Sequence, residues 1–141
     1  MERWIIYAIV SMIFAGMTSV IAKFGMKDLS SDTALAIRTC VVFTIVIANA
    51  FFLRNAYQEL QHAPAKNLMF LAISGITTSL SWIFYYRAMK EGQVSYVVSI
   101  DKASIVVSLL LSFIILKEPL TAKVLIGAGF IVTGMVVLIW K

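Results

Sequence analysis

Five stretches of the chain run with few charged side chains: Trp4 to Ala22, Ala34 to Leu53, Leu68 to Met89, Val94 to Leu116 and Leu120 to Trp140. Each comes near the roughly 20 residues that a helix needs to cross a bilayer core. Polar punctuation separates them: KFGMKDLSSD (Lys23 to Asp32), RNAYQELQHAPAKN (Arg54 to Asn67), KEGQ (Lys90 to Gln93) and KEPLT (Lys117 to Thr121). These segments carry breakers and caps. Asp32 or Ser31 can cap the second helix, Gly92 can end the third, and Pro119 fits the first turn of the fifth, where a missing N–H costs little. Connections this short favour adjacent antiparallel helices. The expected fold is an all-α membrane protein, one domain over residues 1–141 built as a bundle of five transmembrane helices.

Composition sharpens this picture. Of 141 residues, 61% are hydrophobic and 13% charged, an apolar load above the roughly 45–50% of soluble domains, and the short connections leave no room for a soluble domain. The first apolar run is longer than the core of a secretory signal, and no small-residue cleavage site in a polar stretch follows it, so it is expected to remain as a span. The net charge of +5 is carried mainly at segment ends. Membrane-flanking Lys and Arg explain it without nucleic acid. Cys40 is the only cysteine, which excludes an internal disulfide and any cysteine-based metal site, and it is read as a small packing residue.

Five crossings place the termini on opposite sides of the membrane. Arg3, Arg54, Lys66, Lys117 and Lys123 then share the N-terminal side, against Lys23, Lys27, Arg38, Arg87, Lys90 and Lys141 on the other. Because Lys/Arg asymmetry sets orientation, five against six permits insertion both ways and pairing of two oppositely inserted copies. A fixed orientation with a weak signal is the alternative.

The charges that do enter apolar segments gather toward one end. Lys23 ends the first helix, Arg38 lies about one and a half turns into the second, Arg87 is near the end of the third, and Asp101 and Lys102 are about two turns into the fourth at ~1.5 Å per residue. Charges at such depth are normally paired or face a watery cavity, and they point to function by default. The expected partner of Asp101 is Arg38 or Lys23. Lys102 must face elsewhere, since adjacent helix residues point about 100° apart.

Asp101 shares a face with Ser104, Ser108 and Ser112, and the third helix carries a similar stripe in Ser74, Thr78, Ser81 and Tyr85. Two such stripes can line a cavity. They are also small-xxx-small rows of the kind that allow close helix packing, as are Ser11, Ala15 and Ser19 and the pair Gly129 and Thr133. Trp82 is deep enough to stack on a substrate or to fill the core. His62 is expected to be a solvated loop residue, and Asn49 interhelical glue. The candidate substrate- or ion-binding set is Asp101, Lys102, Arg38, Lys23, Trp82, Tyr85, Ser104 and Thr78. No phosphate-binding glycine loop, His/Cys metal spacing or nucleophile elbow is present, so neither enzymatic chemistry nor a metal or cofactor is expected.

Several of these stretches carry a family resemblance. FAGMTSVIAKFG (Phe14 to Gly25), SSDTALAIRT (Ser30 to Thr39), SWIFYYRAMKEGQVSYVVSIDKASIV (Ser81 to Val106) and LKEPLT followed by GAGFIVTG resemble the EamA domain of the drug/metabolite transporter superfamily, in particular its short five-helix bacterial and archaeal transporters. The similarity runs nearly end to end, and the block from the third to the fifth helix is its specific part. One departure stands out: Ser99 occupies the position before Ile-Asp-Lys where that pattern commonly has proline. Proline would kink the helix and free a carbonyl, so a local break is not assured here.

The resemblance implies carrier-mediated movement of small metabolites in the cytoplasmic (inner) membrane of a prokaryote. Larger members look like a duplicated five-helix unit with inverted halves, and the even charge balance suits an antiparallel homodimer doing the same with two chains. The expectation is a secondary transporter with a cavity lined by the third and fourth helices, acting on an anionic or zwitterionic substrate, with Asp101 as a switchable counter-ion. A lipid-linked or multidrug exporter and a non-transporting membrane subunit are the alternatives.

Overall fold

Inside a bilayer each backbone N–H and C=O must find its partner within the chain, which leaves helices as the local answer to long apolar runs. The computed structural model describes residues 3–53, 56–119 and 121–140; Arg54, Leu120 and Lys141, used above in the loop, span and charge assignments, lie outside them. Every regular element among the described residues is helical. Five stretches are long and apolar enough to span: Arg3–Gly25, Ser31–Phe52, Ala65–Glu91, Val94–Leu116 and Ala122–Ile139. The protein is therefore an all-α, multi-pass membrane protein, as the pattern of apolar runs requires.

The chain forms two compact units, Met1–Glu91 and Gly92–Lys141. The first contains α1 (Arg3–Gly25), α2 (Ser31–Leu53), α3 (Ala56–His62) and α4 (Ala65–Glu91). Its first connection turns on Ser30, whose Oγ accepts from Thr33 N–H at 3.2 Å while its hydroxyl donates to Thr33 Oγ1 at 2.8 Å. The cap of α2 is thus Ser30, one residue before Ser31 and two before Asp32, the two expected candidates. Asp32 sits in the first turn of α2, where the N-terminal end of the helix dipole favours a carboxylate.

The second connection, read from sequence as a plain loop, contains α3. Its residues AYQELQH are mostly good helix formers, enough for seven helical residues. His62 is exposed at the end of that helix. Helix α4 has 27 residues, about 40 Å at 1.5 Å per residue, and outlasts the expected third segment at both ends. Gly92 follows its last residue as expected.

The second unit holds α5 (Val94–Lys102), α6 (Ser104–Leu111), a π-helical turn (Ser112–Leu116) and α7 (Ala122–Ile139); α7 packs on α5 and α6. The fourth apolar run is therefore a broken span. The π turn ends at Lys117 in the left-handed conformation, φ 55°. The N–H groups of Lys117 and Glu118 both point back to Ser112 O, a wide version of the left-handed helix stop. Thr121 then caps α7, its Oγ1 accepting from Val124 N–H at 3.4 Å. Pro119 lies before that cap and outside the first turn of α7.

Few side chains are buried. Met26 and Met89 are 1% and 0% exposed, Tyr86 3% and Ser19 9%, and together they place the core of the first unit at the C-terminal ends of α1 and α4. Most other large apolar side chains, Phe52 and Phe130 among them, are exposed. Lipid tails are as apolar as Leu, so this exposure carries no penalty in a membrane.

Candidate functional site

The last three turns of α4 present Trp82, Tyr85, Tyr86, Met89 and Lys90, at offsets of three, four, seven and eight. Such offsets fall on one helix face. That face meets two neighbours, α1 and α2, each of which brings a cation to it.

From α2 comes Arg38. Its guanidinium carbon lies 4.4 Å from the centre of the Trp82 ring and 5.7 Å from that of Tyr86. A cation over an aromatic face is held by the ring's quadrupole, worth about 0.5–2 kcal/mol. Stacking engages the face of the guanidinium and leaves the N–H donors around its rim available. Nearer the end of the same seam Arg87 donates to both carboxylate oxygens of Asp32, at 3.3 and 3.4 Å. With side chains 54% and 62% exposed, this forked pair adds at most about 1 kcal/mol, but it pins the start of α2 against the end of α4.

From α1 comes Lys23. Its ammonium donates to Met89 O at 2.5 Å and to Lys90 O at 3.4 Å, while Lys90 donates to Met26 O at 2.6 Å and Lys27 O at 3.2 Å. The two helices thus exchange C-terminal lysines, each satisfying carbonyls that its neighbour's helix end leaves without intrahelical donors. Positive charge at a helix C-terminus also complements the dipole. Tyr85, a candidate binding residue, joins the same packing: its hydroxyl and that of Ser19 are hydrogen-bonded at 2.9 Å. Lys23 and Tyr85 therefore fasten α1 to α4. Lys90 was legible only as loop punctuation, because nothing local shows that a lysine past the apolar run will reach another helix's carbonyls.

Two clefts flank the α2–α4 seam. One, of about 320 Å³, lies among α1, α2 and α4, walled by Ile21, Ala22, Leu29 and Ile37 with Arg38 and Tyr86 at its side. The other, of about 660 Å³, lies between α2 and α4 and is lined by Leu35, Cys40, Phe43, Trp82 and Ile83, with Asp32 and Arg87 at one end. Cys40 is exposed within it. The second span, which sequence reasoning left out of the cavity wall, thus forms a wall of both clefts.

Thr78 bonds inward on its own helix, Oγ1 donating to Ser74 O at 2.8 Å, and it is exposed. In the second unit Asp101 and Lys102 reach each other at 3.7 Å, although their backbones point them apart. Ser104, just past them, opens α6 and is exposed. Between these residues the helix breaks: Ala103 N–H bonds Ile100 O at 2.9 Å and Val106 N–H bonds Ala103 O at 3.0 Å, both spanning three residues in place of four. The break forms without proline. Ser99 Oγ donates to Ser95 O at 2.7 Å, a back-bond of the kind that bends helices.

Comparison with known proteins adds to this geometry. The model of a family described as the EamA-like transporter family matches residues 2–140. A relative from Sinorhizobium sp., named "Uncharacterized transporter in cobO 3'region", is 36% identical over 137 residues, covering 97% of this chain and 96% of its own length. No solved structure matches.

Proposed function

We propose, on the premise that this chain belongs to the EamA-like transporter family, that it is a secondary transporter of small metabolites working as an antiparallel homodimer by alternating access. The observation that carries this reading is Arg38, a cation inside a membrane span, stacked on Trp82 beside two clefts. Intramembrane ionisable groups next to a cavity mark substrate or ion pathways. A cation in that position favours an anionic or zwitterionic substrate.

The pairing of opposite copies draws support from the near-even split of Lys and Arg between the two sides. It also draws support from α7, where a Cβ added at Gly127, Gly129 or Gly134 would meet nothing within 4 Å. Open glycine faces let a second helix approach closely. Two inverted copies related by an axis in the membrane plane reproduce the arrangement that rocks about a central site. Asp101 and Lys102 at the break in the fourth span supply the switch: protonation of Asp101, or its substrate-linked release, frees Lys102 and biases the two facing states. The bacterial relative suits the inner membrane of a prokaryote.

A lipid-linked or multidrug exporter is the second reading, favoured by the mostly apolar lining of the wider cleft. The test is reconstitution of the purified protein in liposomes and measurement of counterflow with labelled small organic anions, zwitterions and lipophilic dyes. Counterflow of an anion or zwitterion supports the proposal. Movement of dyes alone selects the exporter, and no movement of any solute indicates a subunit that does not transport.

A further inference from the structure

Arg38 raises a question that its stacking does not answer. It lies seven residues past Ser31 in α2, about 10 Å along the helix. Trp82 and Tyr86 lie nine and five residues before Glu91, the end of α4. The ring contacts hold the guanidinium over α4 at the level of Trp82 and Tyr86, where a free arginine in a span would extend toward the nearer headgroups. Within its own unit, among the described residues, no hydrogen bond or ion pair engages it; the Asp32 carboxylate is taken by Arg87. An arginine deep in a span costs a few kcal/mol, and cation–π stacking of about 0.5–2 kcal/mol offsets only part of that. A charge left in this condition beside an open cleft is a charge awaiting a partner.

The cleft narrows what that partner can be. Its volume of about 320 Å³ is at the small end of the ~300–1,000 Å³ of ligand sites. Its walls are apolar apart from Arg38, Thr18 and the Tyr86 side, and among the described residues no acidic side chain lines it. A zwitterion would bring an ammonium with no carboxylate to meet it. A phosphate dianion would bring a second negative charge against a single guanidinium, and buried charge without a partner is expensive.

We infer that this cleft is the binding site for a small organic monoanion, a carboxylate on an apolar body, with Arg38 as its anchor and Trp82 as the plate that holds the guanidinium rim toward it. Arginine suits the task because its fork matches a carboxylate with two parallel hydrogen bonds. This inference rests on the reading of the chain as a transporter and selects among the substrates that reading allows. Trp82 is a positioning residue, since it acts through Arg38.

The chain has three tryptophans and five tyrosines, so replacing Trp4 and Trp140 by Phe leaves Trp82 as the sole tryptophan, which is excited selectively at the red edge where tyrosine does not absorb. Hexanoate, hexanamide, hexylamine and hexyl phosphate are titrated onto that protein in detergent. A saturable change in Trp82 emission with hexanoate, at least tenfold weaker with hexanamide, is expected, with little response to hexylamine or hexyl phosphate. Arg38→Lys should weaken hexanoate at least tenfold by losing the fork. Equal responses to acid and amide, tighter binding of the amine or the phosphate, or no saturable response to hexanoate would each overturn the inference; the amide comparison stands even if the Arg38 variant fails to fold. Parallel counterflow separates the two levels. Hexanoate binding with no transport of any solute would sink the transporter reading alone, and transport confined to zwitterions would sink this inference alone.

Discussion

Replacing Lys90 by Met tests whether the exchanged lysines join α1 to α4. The substitution keeps the apolar stem and removes the ammonium, with its bonds to Met26 O at 2.6 Å and Lys27 O at 3.2 Å. The first is part-buried beside Met26, itself 1% exposed; a charge-assisted bond of this kind contributes about 1.5–3 kcal/mol. The second is exposed and contributes about 0.5 kcal/mol. Lys90→Met should therefore cost about 2–3.5 kcal/mol, and Lys23→Met, which also loses one shorter and one longer bond, at least a similar amount. The two losses should not add. Each lysine's acceptors are held in place by the other helix end, so once one lysine is gone the ends separate and the second is already weakened; a coupling of about 1 kcal/mol is expected. Reversible unfolding in mixed micelles by SDS titration, followed by circular dichroism, measures all four corners of the cycle, with Lys27→Met as the control. A Lys90→Met effect under about 0.5 kcal/mol, the ordinary range of surface substitutions, or strict additivity of the pair, would refute the reasoning.

Four further outcomes follow from the same geometry. Asp101→Asn should abolish counterflow while expression stays intact, and wild-type transport in that variant would remove Asp101 from the coupling step. Single cysteines at the two termini, on a Cys40→Ser background, should each label from both sides of intact cells; labelling of each terminus from one side only would rule out the antiparallel dimer. Gly129→Leu on α7 should prevent dimer crosslinking while leaving helix content unchanged, because a large side chain fills the open face that a partner helix would use; undiminished crosslinking would exclude that face from the interface. Lys117→Gly should stabilise the chain by about 0.5–1 kcal/mol, since glycine adopts the left-handed conformation without the Cβ clash that lysine meets. A loss of stability in the SDS titration would show that the lysine side chain contributes more than its backbone costs.

Much was determined by the sequence alone, because the membrane enforces it locally. A run of about 20 apolar residues can only be a helix in lipid, so the number, type and approximate limits of the spans were legible, and the motifs in FAGMTSVIAKFG and SWIFYYRAMKEGQVSYVVSIDKASIV pointed to the family that the whole-chain match then showed. The positions of charges inside those runs were legible for the same reason. Their partners were not. Whether Arg38 meets a carboxylate or the Trp82 ring, and whether Lys23 faces a substrate or Met89 O, depends on which helix faces meet. Uniformly apolar helices carry little signal of that, since a Leu is equally at home against lipid or another helix. The break at Ala103 shows the same division: the missing proline left it open, and hydrogen bonds spanning three residues around Ala103 settled it. Local chemistry decided where the chain is helical, and tertiary packing decided which polar groups are spent on holding helices together and which, like the guanidinium of Arg38, are left facing a cleft.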